Sequence, residues 1–319
     1  MVSGLVDRLG LTIAGMFSYR HAFHAGNHAD VLKHASLIAI LAHLTQKPTP
    51  LSVIDTHAGA GLYRLDGDLA EKGGEAVDGI VKLHAWAKSP AAQGLSPMLR
   101  EYLALVQGFN APNSLRIYPG SPFIVQRLLR TEARDRLKLF ELHPTDAKAL
   151  AGNIAQLGAG RQVSVTRQDG FEGVKALLPP PSRRALVLID PSYEIKTDYA
   201  KVSACIQDSL GRFSTGSYLI WYPIIPLLEA HGLPKRLKTL AQSAGKPWLH
   251  ASLNIGHPVK STTPTMPGER PHGHGLSASG LFVLNPPHTL KAQLKETLPQ
   301  LLEILGRGPG RGFSLDASQ

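Results

Sequence analysis

Cysteine is nearly absent from this sequence, since Cys205 is the only cysteine among 319 residues. A single thiol cannot form a disulfide within the chain, and it cannot supply the paired thiolates of a cysteine-based zinc site. We therefore expect a protein of a reducing compartment, the cytoplasm.

Long apolar segments and two common nucleotide-binding fingerprints are missing as well. No apolar run approaches the roughly 20 residues of a membrane-spanning helix, and the residues before Met16 lack the apolar core of a signal peptide. We expect no membrane association, and we expect residues 1–15 to be a disordered extension. Neither G-x-G-x-x-G nor a G-x-x-x-x-G-K-[ST] phosphate loop occurs, which disfavours a nicotinamide cofactor and P-loop chemistry.

Acidic residues are outnumbered by basic ones. The chain has 34 Lys and Arg against 24 Asp and Glu, a net charge of +10 and a sequence pI near 9.7. Such a surface attracts polyanions, which is compatible with an enzyme that acts on RNA.

The most informative motif is Asp190-Pro191-Ser192-Tyr193, which directly follows the apolar run at 185–189. An apolar run of this length is typical of a buried parallel strand, and ligands bind at the carboxyl ends of such strands. The Asp190 carboxylate and the Pro191 carbonyl can accept N–H bonds from an exocyclic amine, and the Tyr193 ring can stack on a base. The four residues alone are also ordinary turn chemistry.

Three more predicted strand ends carry polar groups. Residues 51–55 run into a loop with Asp55, His57, Gly59 and Gly61, where the glycines allow the backbone to approach a ligand closely. Glu141 ends a strand at a position suited to bind ribose hydroxyls, and Asp169 ends the next strand, where it can accept from an adenine amino group. The series predicts a site for an adenosyl ligand.

The chain resembles the RlmJ family of S-adenosylmethionine-dependent 23S ribosomal RNA adenine-N6 methyltransferases. The family belongs to the amino-methyltransferases that carry an Asp-Pro-Pro-Tyr signature. The resemblance extends over nearly everything from Met16 onward. It rests on residues 17–34, 55–61, 118–122, 141–144, 169–171, 190–193, 221–223 and 277–280.

The resemblance implies a cofactor, S-adenosylmethionine, and a partner, 23S ribosomal RNA, with no metal. It also implies a role for individual residues. The cofactor-binding residues are His34, His57, Gly59, Gly61, Ser121, Glu141, Asp169, Gly170 and Asp190. The catalytic residues are Asp190, Pro191 and Tyr193. The substrate-binding residues are Tyr19, His21, Lys33 and Tyr193, the first three from a motif that closes over cofactor and target.

One position departs from the family pattern, because Ser192 stands where the signature has a second proline. Without that proline, Pro191 is less strongly biased toward extended geometry and its carbonyl is less preorganised. Because the acceptor atoms themselves remain, we expect activity to be retained.

The fold expected from these motifs is a Rossmann-like α/β methyltransferase, with a mostly parallel seven-stranded sheet and an inserted helical subdomain. About eighty residues separate the strand ends at Asp55 and Glu141, more than a crossover helix requires. We predict a methyltransferase domain at 16–61 and 119–305 that is monomeric, a helical insertion at 62–118 and a flexible tail at 306–319. Residues 280–287 are predicted to close the sheet as an edge strand, and residues 256–275 to form a mobile loop near RNA.

Three alternatives stay open at this point. DNA adenine-N6 methylation uses the same chemistry, although no separate target-recognition domain is evident. A metal-dependent nuclease is suggested by the histidines at positions 21, 24, 28 and 34, but the spacing of His28 and His34 departs from that of a helical metal pair. A noncatalytic RNA-binding assembly factor is suggested by Ser192 alone. S-adenosylmethionine binding would distinguish the methyltransferases from the nuclease, and methyl transfer would distinguish them from the assembly factor.

Overall fold

The computed structural model describes residues 23–66, 74–257 and 275–318. Tyr19 and His21 therefore lie outside the described residues, as do the predicted extension at 1–15 and most of the predicted loop at 256–275.

A mixed sheet of eight strands forms the centre of the molecule, in the order β10-β8-β9-β7-β6-β1-β4-β5. The five strands from β7 to β5 in this order pair in parallel, whereas β9 and β10 pair antiparallel to their neighbours. The strands in the described ranges, including the small β2-β3 pair, are β1 (Ser52–Asp55), β2 (Leu62–Arg64), β3 (Ile117–Pro119), β4 (Arg136–Phe140), β5 (Val163–Thr166), β6 (Ala185–Ile189), β7 (Ser217–Pro223), β8 (Trp248–Asn254), β9 (Ala278–Leu284) and β10 (Gly312–Ala317).

Helices cover both faces of this sheet. They are α1 (His28–Leu44), α2 (Ile80–Trp86), α3 (Pro97–Gln107), α4 (Ser121–Leu128), α5 (Pro144–Ala155), α6 (Gly170–Leu177), α7 (Thr197–Arg212), α8 (Leu228–Ser243) and α9 (Leu290–Leu305). One core contains side chains of α1 to α5 and α9, and the other contains side chains of α6, α7 and α8. In β6, Leu186 and Leu188 join the first core and Val187 and Ile189 join the second. The run at 185–189 is apolar without interruption because both of its faces are buried.

The first helix, α1, begins directly after a capping residue. The Asn27 side chain caps it by accepting from the backbone N–H of Asp30. Its amino-terminal half is unusual because Asp30, Lys33 and His34 are all buried there. Buried charged groups require partners, and their partners form the site described below.

The predicted insertion at 62–118 is largely helical, and β2 and β3 pair antiparallel at its two ends. Ile80, Leu99, Tyr102 and Val106 are buried in the same core as the first helix. Val77, which precedes α2, has a side chain that is 61% exposed. The insertion therefore packs as part of the main core.

Three details of the predicted architecture are corrected. The sheet has eight strands because residues of the predicted flexible tail pair with β8 as the edge strand β10. Strand β9 is interior and not an edge strand, since it pairs antiparallel with both β7 and β8. Pro286 and Pro287 lie beyond the end of β9 and leave its backbone free to pair on both sides.

None of the helices in the described ranges has both the length and the apolarity needed to cross a membrane.

Candidate active site

A cleft opens at the carboxyl edge of the parallel strands, where β1, β4, β5 and β6 end. Ten of the residues predicted for the site line it, namely Lys33, His34, His57, Gly59, Ser121, Glu141, Asp169, Gly170, Asp190 and Pro191. Residues far apart in the sequence thus meet because parallel strands deliver their ends to one edge.

Asp190 is held by a buried lysine. The Lys33 ammonium forms an ion pair with Asp190 Oδ2 and a second one with Asp30 Oδ1, at 2.8 Å. Burial disfavours the ammonium, but the charges and hydrogen bonds of Asp190 and Asp30 outweigh it and raise the pKa of Lys33. Lys33 is therefore a buried cation that fixes the acceptor carboxylate. Its assignment as a substrate-binding residue suggests a surface position instead.

The first three residues of the Asp190 turn line the cleft. In the described part of the chain, Asp190 Oδ1 forms no hydrogen bond, because Lys33 engages only Oδ2. Pro191 and Ser192 line the cleft beside it. The Asp190 side chain is only 13% exposed, a setting in which a hydrogen bond is stronger than in water.

Glu141 is fixed by backbone donors. Its Oε2 accepts from the N–H of Gly59 at 2.8 Å, and its Oε1 accepts from the N–H of His143 at 2.7 Å. Burial raises the pKa of this carboxyl despite the two backbone donors. Each oxygen keeps a further lone pair for a ligand hydroxyl.

His57 lies across the same loop. Its Nδ1 is 2.8 Å from Thr56 Oγ1, and its ring meets the Phe171 ring edge to face at 4.8 Å. Burial lowers the pKa of His57 to about 4. The ring is therefore neutral at physiological pH and offers the cleft hydrogen bonds without charge.

Asp55 lies under the cleft and is fully buried. It accepts from the Ser121 hydroxyl at 2.7 Å and from the His57 backbone N–H at 3.3 Å. Burial is the main cause that raises the pKa of Asp55 to about 6, and the nearby charge of Asp190 adds to it. Asp55 thus positions two residues that line the cleft.

Two glycines of the cleft stand where a side chain would collide with a neighbouring atom. Gly59 has φ +61°, and a Cβ there would lie 2.3 Å from the Tyr63 hydroxyl. A Cβ on Gly170 would lie 2.0 Å from the Thr56 carbonyl oxygen. Gly170 therefore lets α6 approach the loop after β1, while Asp169 caps that helix by accepting from the N–H of Phe171 at 2.8 Å.

Two predicted site residues in the described ranges do not line the cleft. The Tyr193 ring is buried, 4% exposed, and packs against Tyr199 and Trp221, while its hydroxyl donates to the Trp221 carbonyl at 2.6 Å. Its backbone has φ +55°. Gly61 accepts from the N–H of Gly120 and supports the loop from behind.

The cleft also includes residues that sequence reasoning missed. Thr56 lies between the predicted Asp55 and His57, and Asp146 is in the first turn of α5. Asp198 and Lys201 line the cleft from α7 and form an ion pair at 3.6 Å. Their i, i+3 spacing was readable in the sequence, but nothing local separates such a pair from one on a solvated helix face.

Within ranges 23–66, 74–257 and 275–318, no group of three or more His, Cys, Asp or Glu is arranged to hold a metal ion. His24 is instead paired with Glu75 at 3.0 Å.

Comparisons with known proteins identify the family. The family described as "Ribosomal RNA large subunit methyltransferase D, RlmJ" matches residues 48–314. The "Ribosomal RNA large subunit methyltransferase J" of Escherichia coli strain K12 is 40% identical over 286 residues, 90% of this chain and 93% of that protein. The protein of the same name from Haemophilus influenzae is 40% identical over 291 residues, 91% of this chain and 94% of that protein.

A solved structure agrees with these relatives. The crystal structure of protein LPL1258 from Legionella pneumophila superposes with a TM-score of 0.75 at 31% identity, and the match covers 92% of this chain and 98% of that one. Together with the cleft at the carboxyl edge of its sheet, these matches show that the chain belongs to the RlmJ family of ribosomal RNA large subunit methyltransferases.

Proposed function

We propose that this protein transfers a methyl group from S-adenosylmethionine to the N6 amino group of an adenine in 23S ribosomal RNA. The single observation that carries the proposal is the position of Asp190. Its Oδ2 is bound by Lys33, and Asp190 lines a cleft whose other polar groups suit an adenosyl ligand. The names of the relatives from E. coli and H. influenzae support the substrate class.

The donor set of the cleft fits the proposed cofactor. Glu141 would hold the ribose hydroxyls, because its two oxygens are fixed by backbone N–H groups and have lone pairs left. Asp169 would accept from the adenine amino group, and Ser121, His57 and His34 would bind the remaining polar groups of the cofactor. When bound, S-adenosylmethionine supplies a methyl group activated by a sulfonium.

Asp190 and Pro191 act on the target amine. The carboxylate Oδ1 and the prolyl carbonyl accept its two N–H groups, which draws the nitrogen lone pair out of conjugation with the ring and aims it at the methyl group. Lys33 keeps the carboxylate at this position through its ion pair. In this arrangement Asp190 acts as a hydrogen-bond acceptor. The N–C bond forms as the S–C bond breaks, and the methylated nitrogen then loses its extra proton to water.

The base must leave its stack to reach this cleft, which costs a few kcal/mol and favours loosely paired RNA. We revise the role of Tyr193 here. Because its ring is buried and its hydroxyl is anchored on Trp221, we propose that it stabilises the Asp190 turn from behind. Tyr19 and His21 stay proposed as contacts to the target.

A substrate competition tests this proposal against DNA methylation. Purified protein is incubated with methyl-labelled S-adenosylmethionine and equal nucleotide amounts of 23S ribosomal RNA from a strain lacking the relative and of adenine-containing duplex DNA. We expect label on RNA alone. Asp190→Asn should abolish it, whereas Asp208→Asn should not, because that variant removes a carboxylate from an exposed pair with Arg212. Preferential labelling of DNA would contradict the proposal, and so would the absence of transfer to either substrate.

A further inference from the structure

The lining of the cleft is acidic for a site that admits an RNA strand. Five carboxylates line it, those of Glu141, Asp146, Asp169, Asp190 and Asp198. In the described ranges, Lys33 and Lys201 are the two lysine or arginine side chains of the lining. A base that leaves its stack and enters a pocket keeps the negatively charged phosphates of its own strand close to that pocket. The carboxylates repel those phosphates unless a cation binds them.

Lys33 cannot serve as that cation. Its side chain is 4% exposed, and its ammonium bridges Asp30 and Asp190. Moving the ammonium toward a phosphate would leave two buried carboxylates without their cation, which is strongly unfavourable. Lys33 therefore stays with the acceptor carboxylate, and a phosphate requires another group.

Lys201 on α7 has the properties that Lys33 lacks. Its side chain is 44% exposed, and it lines the cleft. In the described part of the chain its one ion-pair partner is Asp198, at 3.6 Å, which is longer than a charge-assisted hydrogen bond of about 2.7 to 2.9 Å. An ammonium has three N–H donors, so Lys201 can bind a phosphate oxygen and keep its pair with Asp198.

Asp198 fixes the position of this lysine. The Asp198 side chain is 9% exposed and lies three residues before Lys201 on the same helix face. Burial raises the pKa of Asp198, and the charge of Lys201 opposes this shift and favours the carboxylate. The ammonium is thus held at the wall of the cleft, and it loses less side-chain freedom on binding than an isolated surface lysine.

The pair lies at the part of the cleft that contains Asp169. Burial, and to a smaller extent the nearby charge of Asp169, raises the pKa of Asp198. Asp169 is the residue proposed to bind the adenine of the cofactor, and that part of S-adenosylmethionine has no negative charge. The cofactor carboxylate belongs to the methionine end of the molecule. An RNA phosphate is therefore the anion that suits Lys201.

We propose that Lys201 binds a phosphate of the RNA strand beside the target adenine, and that Asp198 positions its ammonium for this contact. The inference rests on the proposed function in one respect, the entry of an RNA strand into this cleft. It adds to that function a contact with the substrate backbone from α7. Because an ammonium acts on a phosphate as a point charge, the contact contributes to RNA affinity and not to the choice of base.

The salt dependence of methyl transfer tests this contact. Transfer to unmodified 23S ribosomal RNA is measured with saturating S-adenosylmethionine at several KCl concentrations, and log(kcat/KM) for RNA is plotted against log[KCl]. Each cation that binds a phosphate adds about 0.7 to 0.9 to the steepness of this plot. We expect Lys201→Met to remove about that amount and to lower kcat/KM for RNA by about threefold to tenfold at the lowest salt, through KM rather than kcat.

The chain offers a matched control for the lost charge. Lys175 on α6 pairs with Glu172 at the same i, i+3 spacing and is 40% exposed, but it does not line the cleft. Lys175→Met therefore removes the same charge from the surface, and we expect the salt dependence to stay that of the wild type. Lys201→Arg keeps a cation at the wall and should restore the steepness.

Calorimetry of S-adenosylmethionine binding distinguishes the substrate from the cofactor. We expect the affinity of Lys201→Met for S-adenosylmethionine to stay within about twofold of the wild type. A large loss of cofactor affinity would assign Lys201 to the cofactor and overturn the inference. A salt dependence that changes no more in Lys201→Met than in Lys175→Met would overturn it as well and leave the proposed function intact, whereas the absence of transfer to RNA by the wild-type protein would contradict both.

Discussion

The buried lysine beside the acceptor carboxylate predicts a large and specific loss of stability. Lys33 bridges Asp30 and Asp190, and the side-chain exposures of the three groups are 4%, 3% and 13%. Lys33→Met removes the shared cation and leaves two buried carboxylates facing the space it occupied. Breaking a buried ion pair on one side costs about 3 to 5 kcal/mol, so we expect the free energy of unfolding to fall by at least about 3 kcal/mol.

A double-mutant cycle isolates the pair. Asp190→Asn leaves Lys33 paired with Asp30, so we expect a smaller loss of about 1 to 3 kcal/mol. In the double variant only the Asp30 carboxylate has lost its ion pair with Lys33, and the total loss should be less than the sum of the single losses by about 1 to 3 kcal/mol. Urea unfolding followed by circular dichroism at neutral pH measures all four corners of the cycle.

The matched control is Lys201→Met. Lys201 also pairs with an aspartate, Asp198, but at 3.6 Å and with its side chain 44% exposed. Such a pair contributes about 0 to 1 kcal/mol. If Lys33→Met costs no more than Lys201→Met, or if the cycle is additive, the ion pair does not hold Asp190 and the reasoning above is refuted.

Three further predictions concern the cleft. Glu141→Ala should weaken S-adenosylmethionine binding by roughly 1 to 3 kcal/mol, the range for lost hydrogen bonds to a charged group, and unchanged affinity by calorimetry would remove Glu141 from the site. The free energy of unfolding of the wild-type protein should increase relative to that of Asp55→Asn as the pH falls. Its pKa of about 6 in the fold lies above the ordinary value of 3.8, so between these pH values the folded protein binds a proton that the unfolded chain does not, and the difference should reach about 3 kcal/mol. Parallel curves of unfolding free energy against pH for the two proteins would contradict this. Ser192→Pro should preserve or raise the methyl-transfer rate, because Ser192 is exposed and its N–H forms no hydrogen bond in the described part of the chain. A rate reduced more than about tenfold would show that the geometry of the turn requires serine at this position.

The strands and the composition of the cleft could be predicted because their signals are local. The run at 185–189 is apolar on both faces of one strand, and Asp190 follows it directly, so the sequence alone predicts a polar group at a strand end. The same reasoning predicts Glu141 and Asp169. Each of these predictions uses fewer than ten consecutive residues and requires no knowledge of the neighbouring strands.

The environment of Lys33 could not be predicted in this way. A lysine in a helix is ordinarily exposed, and its partner Asp190 lies 157 positions away in the sequence. The buried position of the Tyr193 ring could not be predicted for a related reason. Its backbone conformation turns the ring into the core, and no pattern of residue types encodes that direction. Strand β10 follows a glycine-rich segment and has no fully buried residue, so its pairing with β8 depends on a backbone ladder that composition does not reveal.

The identity of the modified nucleoside tests the central claim most directly. Unmodified 23S ribosomal RNA is treated with the purified protein and methyl-labelled S-adenosylmethionine, digested to nucleosides and separated by liquid chromatography with mass detection. The arrangement of Asp190 and Pro191 predicts that the label is found in N6-methyladenosine with the wild-type protein and is absent with Asp190→Asn. Label in any other nucleoside, or label that persists in Asp190→Asn, would contradict the account.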